Sequence, residues 1–225
     1  MRLLVTADWQ ASLKNLDRCE VVVDQILSIL SKYPGTYVLH LGDIKDSPRP
    51  EQHVTNFLVH AVARIHQSSK GFLFVRGNHD NAAQADGSPS FSPLIDLLNV
   101  SCVASDDWNG YQLAPNCDLW MVPYFRDSER QKNAFQDALV ARMVSKSKHH
   151  ILAFHNEIAG CDVSFSRKGT GLSLDDIGAK YYDLCLGGHI HKPQHIKPNL
   201  YYVGSPFAVD WSEANYEHRF MMVEV

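Results

Sequence analysis

The sequence predicts an α/β domain built on parallel strands, with a site gathered at their carboxyl ends. Three observations carry this. Short apolar runs alternate with segments of helical periodicity through the first third of the chain. The runs are continuously apolar, as strands covered on both faces require. Five of these runs finish in carboxylate, amide or imidazole side chains, and open α/β sheets place their sites there.

Leu3 to Ala7 reads as the first strand and delivers Asp8-Trp9-Gln10. Leu16, Cys19, Val22, Val23, Ile26, Leu27 and Leu30 recur at helical spacing, and Pro34-Gly35 ends that helix. Tyr37 to Leu41 is a second strand, running into Gly42-Asp43-Ile44-Lys45-Asp46. Pro48 and Pro50 mark a loop, and Val54, Leu58, Val62 and Ile65 form the stripe of a second helix. Phe72 to Val75 is a third strand, ending at Gly77-Asn78-His79-Asp80.

Residues 82–93 read as an exposed loop, and Leu94 to Leu98 as a short helix. Segments around Val100–Val103, Tyr111–Leu113 and Leu119–Val122 read as strands of a second sheet. Ser128 to Val144 reads as a helix with Phe135, Leu139 and Met143 on one face. Ile151 to Phe154 is a strand that ends at His155, and Asp183 to Leu186 one that ends in Gly187-Gly188-His189-Ile190-His191. Between them, residues 160–172 carry three glycines and read as mobile. Tyr201–Val203 and Phe220–Val223 read as closing strands. No repeat or long linker divides the chain, so residues 1–225 are expected to form one domain.

Apolar residues make up 45% of the chain, enough for a sizeable core. The formal charge of −4 excludes a globally basic nucleic-acid binder, although two bound divalent cations would cancel it. Five scattered cysteines without a C-x-x-C pair point to reduced thiols rather than a disulfide framework. The first apolar run is too short for a signal peptide or membrane span. A soluble cytoplasmic protein without a membrane partner is therefore expected.

Asp8, Gln10, Asp43, Asn78, His155, His189 and His191 are ligand types drawn from separate strand ends. Without cysteine they suit hard-to-borderline ions, Mn²⁺ first, with Fe²⁺, Zn²⁺ or Mg²⁺ as alternatives. Seven ligands exceed one ordinary site but fit two ions roughly 3.5–4 Å apart, bridged by one carboxylate. Two such cations share the charge that builds on a phosphoryl group and lower the pKa of water from 15.7 toward about 7.

In order along the chain, Asp8-Trp9-Gln10, Gly42 to Asp46, Gly77 to Asp80, His155 and Gly188 to His191 resemble the motifs of the calcineurin-like metallophosphoesterase superfamily, D-x-H, G-D-x-x-D, G-N-H-D/E, a lone His and G-H-x-H. The resemblance implies a four-layer α/β/β/α sandwich of two mixed β-sheets flanked by helices. It implies that Asp8, Gln10 and His191 hold the first ion, and that Asn78, His155 and His189 hold the second. Asp43 would bridge them, His79 would be the general acid, and Asp46 would orient its imidazole. Gln10 stands where the family has histidine, which implies a looser first ion because an amide oxygen is the weaker donor.

Three stretches resemble the SbcD-type DNA repair exonucleases: Gly42 to Pro50, Val122-Pro123-Tyr124-Phe125-Arg126, and Tyr202 to Pro206 continuing to Trp211-Ser212-Glu213. That likeness implies a DNA nuclease, with Arg126, Lys192 and Ser205 as substrate contacts. It implies DNA as partner, and an SMC-like ATPase subunit or a homodimer. The chain is short for that branch, whose members continue into a DNA-capping region and an ATPase-docking segment. The alternatives are a phosphatase or phosphodiesterase for nucleotides or phosphoproteins, and a non-catalytic DNA-binding subunit with a weakened metal site.

Overall fold

The computed structural model describes residues 1–81, 102–104, 106–164, 167–196 and 198–225. In chain order the strands are β1 (Arg2–Thr6), β2 (Tyr37–His40), β3 (Gly71–Val75), β4 (Cys102–Ala104), β5 (Asn109–Ala114), β6 (Cys117–Val122), β7 (His149–His155), β8 (Leu184–Gly188), β9 (Gln194–Ile196), β10 (Leu200–Tyr202) and β11 (Met221–Glu224). The helices are α1 (Leu16–Lys32), α2 (Gln52–Ser68) and α3 (Ser128–Val144).

The strands form two mixed sheets. The first runs β11-β1-β2-β3-β4, parallel except for β11 at its edge. The second runs β5-β6-β7-β8-β10-β9, with a parallel centre and antiparallel edges β5 and β9. Side chains alternate between two apolar layers. Leu4, Val38, Phe72 and Phe74 pack against α1 and α2. Leu3, Val5, Leu39, Leu73 and Val75 pack instead against Leu119, Met121, Ile151, Ala153 and Leu186 of the second sheet. On that sheet's outer face, Leu152, Phe154 and Cys185 meet Phe135 and Ala138 of α3. Each fully buried Leu or Phe contributes about 1.5–3 kcal/mol of transfer free energy. The result is the α/β/β/α sandwich, and it explains why β2 and β3 are buried at every position.

Some expectations are corrected. The strand near Val100–Val103 belongs to the first sheet, where Cys102 pairs with Leu73. A three-residue strand carries too little pattern to choose its sheet. The buried face of α3 is Gln131, Ala134, Phe135 and Ala138, while Met143, in the last turn, is 59% exposed. On either side of residues 165 and 166, which lie outside the described residues, backbone bonds run from Ala159 N to Leu172 O (2.7 Å), Leu172 N to Glu157 O (3.1 Å) and Gly169 N to Cys161 O (2.7 Å). The expected loop at 82–93 and helix at Leu94–Leu98 lie outside the described residues. Cys19, Cys117, Cys161 and Cys185 are buried free thiols. Among the described residues, no helix is long and apolar enough to cross a membrane.

Candidate metal centre

The loops after β1 and β2 keep pairing once their strands have ended. Asp8 N donates to Gly42 O (3.0 Å), Gln10 N to Asp43 O (3.0 Å) and Ala11 N to Ile44 O (3.1 Å). Turning the side chains inward while holding these bonds forces Asp8, Gln10 and Asp43 to φ values of 51°, 47° and 53°. With His189 at 84°, they are the four non-glycine residues with positive φ among the described residues. Gly42 and Gly77 leave room for this crossing. A Cβ on Gly42 would strike His155 Nδ1 and sit 2.8 Å from Gly77 N, and one on Gly77 would sit 2.5 Å from Asp43 N. Asp80 pins the loops after β2 and β3 together. Its buried carboxylate accepts from Asp43 N (2.7 Å), Gly77 N (2.8 Å) and Ile44 N (3.2 Å).

The side chains so gathered are mostly acceptors. His155 donates through Nδ1 to Leu41 O (2.6 Å), which aims Nε2 at Asn78 Oδ1 (3.0 Å) and Asp43 Oδ2 (3.3 Å). His189 Nδ1 lies 2.9 Å from the same Asn78 oxygen. One ligand atom from each of Asp43, His155 and His189 lies within 4.8 Å of the other two. Gln10 donates to Asp43 Oδ2 (3.0 Å), yet its own buried Oε1 has no hydrogen-bond partner. Asp8 accepts from His189 N at 3.1 Å through both oxygens. Converging lone pairs repel unless a proton or a cation lies among them. This donor set, with its orphaned amide oxygen, fits divalent cations.

The electrostatics agree. Burial disfavours a charged His155, but the Asp43 carboxylate beside it prevails and raises its pKa to about 9. Burial likewise opposes charge on His191, where Glu213 and Asp8 prevail and raise it to about 9. Burial would raise Asp43, but His155 and His79 hold it well below the usual carboxylate range. Burial pushes Asp8 up to about 6. Burial, reinforced by His155, lowers His189 to about 3.

His79 is 37% exposed, at the mouth of this cluster. Its Nδ1 lies 2.6 Å from Asp46 O, and a carbonyl only accepts, so Nδ1 carries a proton and Nε2 is left for a substrate. The contact expected of Asp46 is thus made by its main chain; its side chain is exposed. Buried Lys45 also supports this loop, giving Nζ–H bonds to His79 O (2.8 Å) and Ser47 O (3.0 Å).

The expected substrate contacts are not gathered in the same way. Arg126 is exposed. Lys192 Nζ is paired with Asp162 at 2.8 Å. Ser205 is fully buried, so its hydroxyl is closed to a substrate. Trp9 is core, with its indole N–H on Thr6 Oγ1 (2.8 Å). Sequence reasoning gave no role to three residues that shape the centre. Asp80 was visible only as the last residue of a motif. Glu213, which binds His191 Nδ1 at 2.6 Å, was visible only at the end of the Gly-Ser-Pro stretch. Tyr124 stacks on His189, with centroids 6.2 Å apart at 24°.

Two facing mixed sheets, helices outside, and an oxygen–imidazole cluster at the strand ends define an α/β/β/α protein with a candidate site for divalent cations. The model of the calcineurin-like phosphoesterase family matches residues 1–193, and the chain belongs to that family. A protein of Invertebrate iridescent virus 3, "Putative phosphoesterase 078R", is 24% identical over 209 residues. That match covers 90% of this chain and 56% of the viral protein, so the chain spans little more than half the length of this relative. The crystal structure of a phosphopantetheinyl hydrolase from Mycobacterium tuberculosis superposes with a TM-score of 0.63 at 13% identity, covering 98% of this chain and 95% of that one, a likeness of fold.

Proposed function

We propose that the chain is a phosphodiesterase that works with two divalent cations, Mn²⁺ foremost, and that its substrate is DNA. The observation that carries the reading is the convergence of Asp43 Oδ2, His155 Nε2, Asn78 Oδ1 and His189 Nδ1, with the partnerless Gln10 Oε1 nearby. Asp8, Gln10 and His191 would hold one ion, Asn78, His155 and His189 the other, and Asp43 would bridge. When bound, the ions supply Lewis-acid stabilisation of phosphoryl charge and activation of water. The chain supplies the acid. His79, fixed through Nδ1 by Asp46 O, turns Nε2 toward the substrate, from which the ring, when it carries a second proton there, would give it to the departing oxygen of a diester, whose alkoxide leaves poorly unless protonated. The likeness of three stretches to SbcD-type nucleases supports DNA, with exposed Arg126 as a phosphate contact. An SMC-like ATPase subunit or a second copy as partner rests on that likeness alone.

The pairing of Lys192 with Asp162 and the burial of Ser205 remove two of three expected DNA contacts, which favours a smaller phosphodiester as the second reading. Hydrolysis of single- and double-stranded DNA and of bis-p-nitrophenyl phosphate, with Mn²⁺ or EDTA, separates the two. The DNA reading expects Mn²⁺-dependent cleavage that His79→Ala lowers by about 10²–10⁴-fold. The same variant should lose far less on the nitrophenyl ester, whose leaving group needs no proton. Turnover of the ester without DNA cleavage would move the assignment to small diesters.

A further inference from the structure

We infer that Glu213 is a positioning residue for the metal centre: its carboxylate fixes the tautomer of His191, so that His191 Nε2 faces the cation held with Asp8 and Gln10. This rests on the two-ion reading. His191 Nδ1 and Glu213 Oε1 are 2.6 Å apart, and a carboxylate only accepts, so a proton stays on Nδ1 and Nε2 is the nitrogen left for a cation to take in place of its proton. The other carboxylate oxygen, Oε2, accepts from Val209 N (2.8 Å), and the main chain of Glu213 is tied to that of Ser205 through His218, whose Nε2 lies 3.2 Å from Glu213 O and whose Nδ1 lies 3.0 Å from Ser205 O. Glu213 is 6% exposed, so this hydrogen bond faces little competition from water. A carboxylate behind a ligating imidazole both orients the ring and strengthens its donor nitrogen. Gln10 makes this support matter more, because the same ion takes a weak amide oxygen where an imidazole would be the stronger donor. By contrast, His155 Nδ1 meets only the neutral carbonyl of Leu41.

The test is calorimetric titration of the metal-free protein with Mn²⁺, comparing wild type, Glu213→Gln and Gln10→Ala, with ¹⁵N NMR of the His191 ring in the Zn²⁺-loaded protein. Two binding events are expected in wild type. Glu213→Gln should weaken by about 10–100-fold the same event that Gln10→Ala weakens, and leave the other within twofold. The ¹⁵N shifts should report a single Nδ1–H tautomer in wild type and a mixture in the variant. Unchanged affinities, an unchanged tautomer, or a Glu213→Gln protein that is unfolded without metal would each overturn the inference, the last by making Glu213 a structural residue of its turn. A wild type that binds no divalent ion would overturn the two-ion reading itself, an outcome distinct from a wild type that binds two ions beside an unaffected variant.

Discussion

Gln10 departs from its family's motif, and its environment explains how an amide is accommodated. It is nearly buried, its NH₂ group is used on Asp43, and its oxygen has no partner. Gln10→His should tighten the weaker of two Mn²⁺ binding events by on the order of tenfold, measured by calorimetry; an unchanged affinity would remove Gln10 from the ligand set. The convergence of these residue types was legible at this scale because each follows an apolar run that ends as a strand of one of the two sheets. Which atom of a residue acts was not legible. Asp46 contributes a carbonyl, a group every residue carries, and burial of Ser205 depends on how the chain closes over it. Glu213 lies 22 residues from His191, and no local spacing links them.

At the scale of elements, the site is a set of loops clasped by one carboxylate. Asp80→Ala would leave three buried backbone N–H groups on the loops after β2 and β3 without an acceptor. A loss of about 3 kcal/mol or more is expected, lowering the melting temperature by roughly 6–12 °C in calorimetry. Metal affinity should fall with it, since Asp43 loses the bond that fixes its backbone. The strands and helices themselves were legible because continuous apolar runs and 3.6-residue stripes are local signals. Ser128–Val144 was readable to the residue, and Asp127 caps it by accepting from Arg130 N (2.8 Å). The sheet of β4 and the existence of β9 were not: each has three residues, and pairing rather than composition decides their place.

For the whole molecule, the cluster couples stability to pH and metal. His155 and His191 have folded pKa values of about 9 against an ordinary 6.5, so the folded state holds extra protons between these values. Their contribution to stability is complete below about pH 6.5 and is lost as pH rises through about 9. Asp8, raised to about 6, has the same sign at lower pH. The melting temperature in EDTA should therefore fall from pH 6.5 to 9, whereas saturating Mn²⁺ should raise it most at the alkaline end, because ions and protons compete for the same nitrogens. A flat or rising profile in EDTA would contradict this.

The four left-handed residues, Asp8, Gln10, Asp43 and His189, carry a consequence for how the sequence can change. Each holds a conformation that glycine adopts without penalty and that other residues adopt at about 1–2 kcal/mol. Thermodynamic selection alone would push these positions toward glycine, and only activity opposes it. The centre is thus where the chain is least optimised for persistence, and a lineage that lost the activity would erode there first.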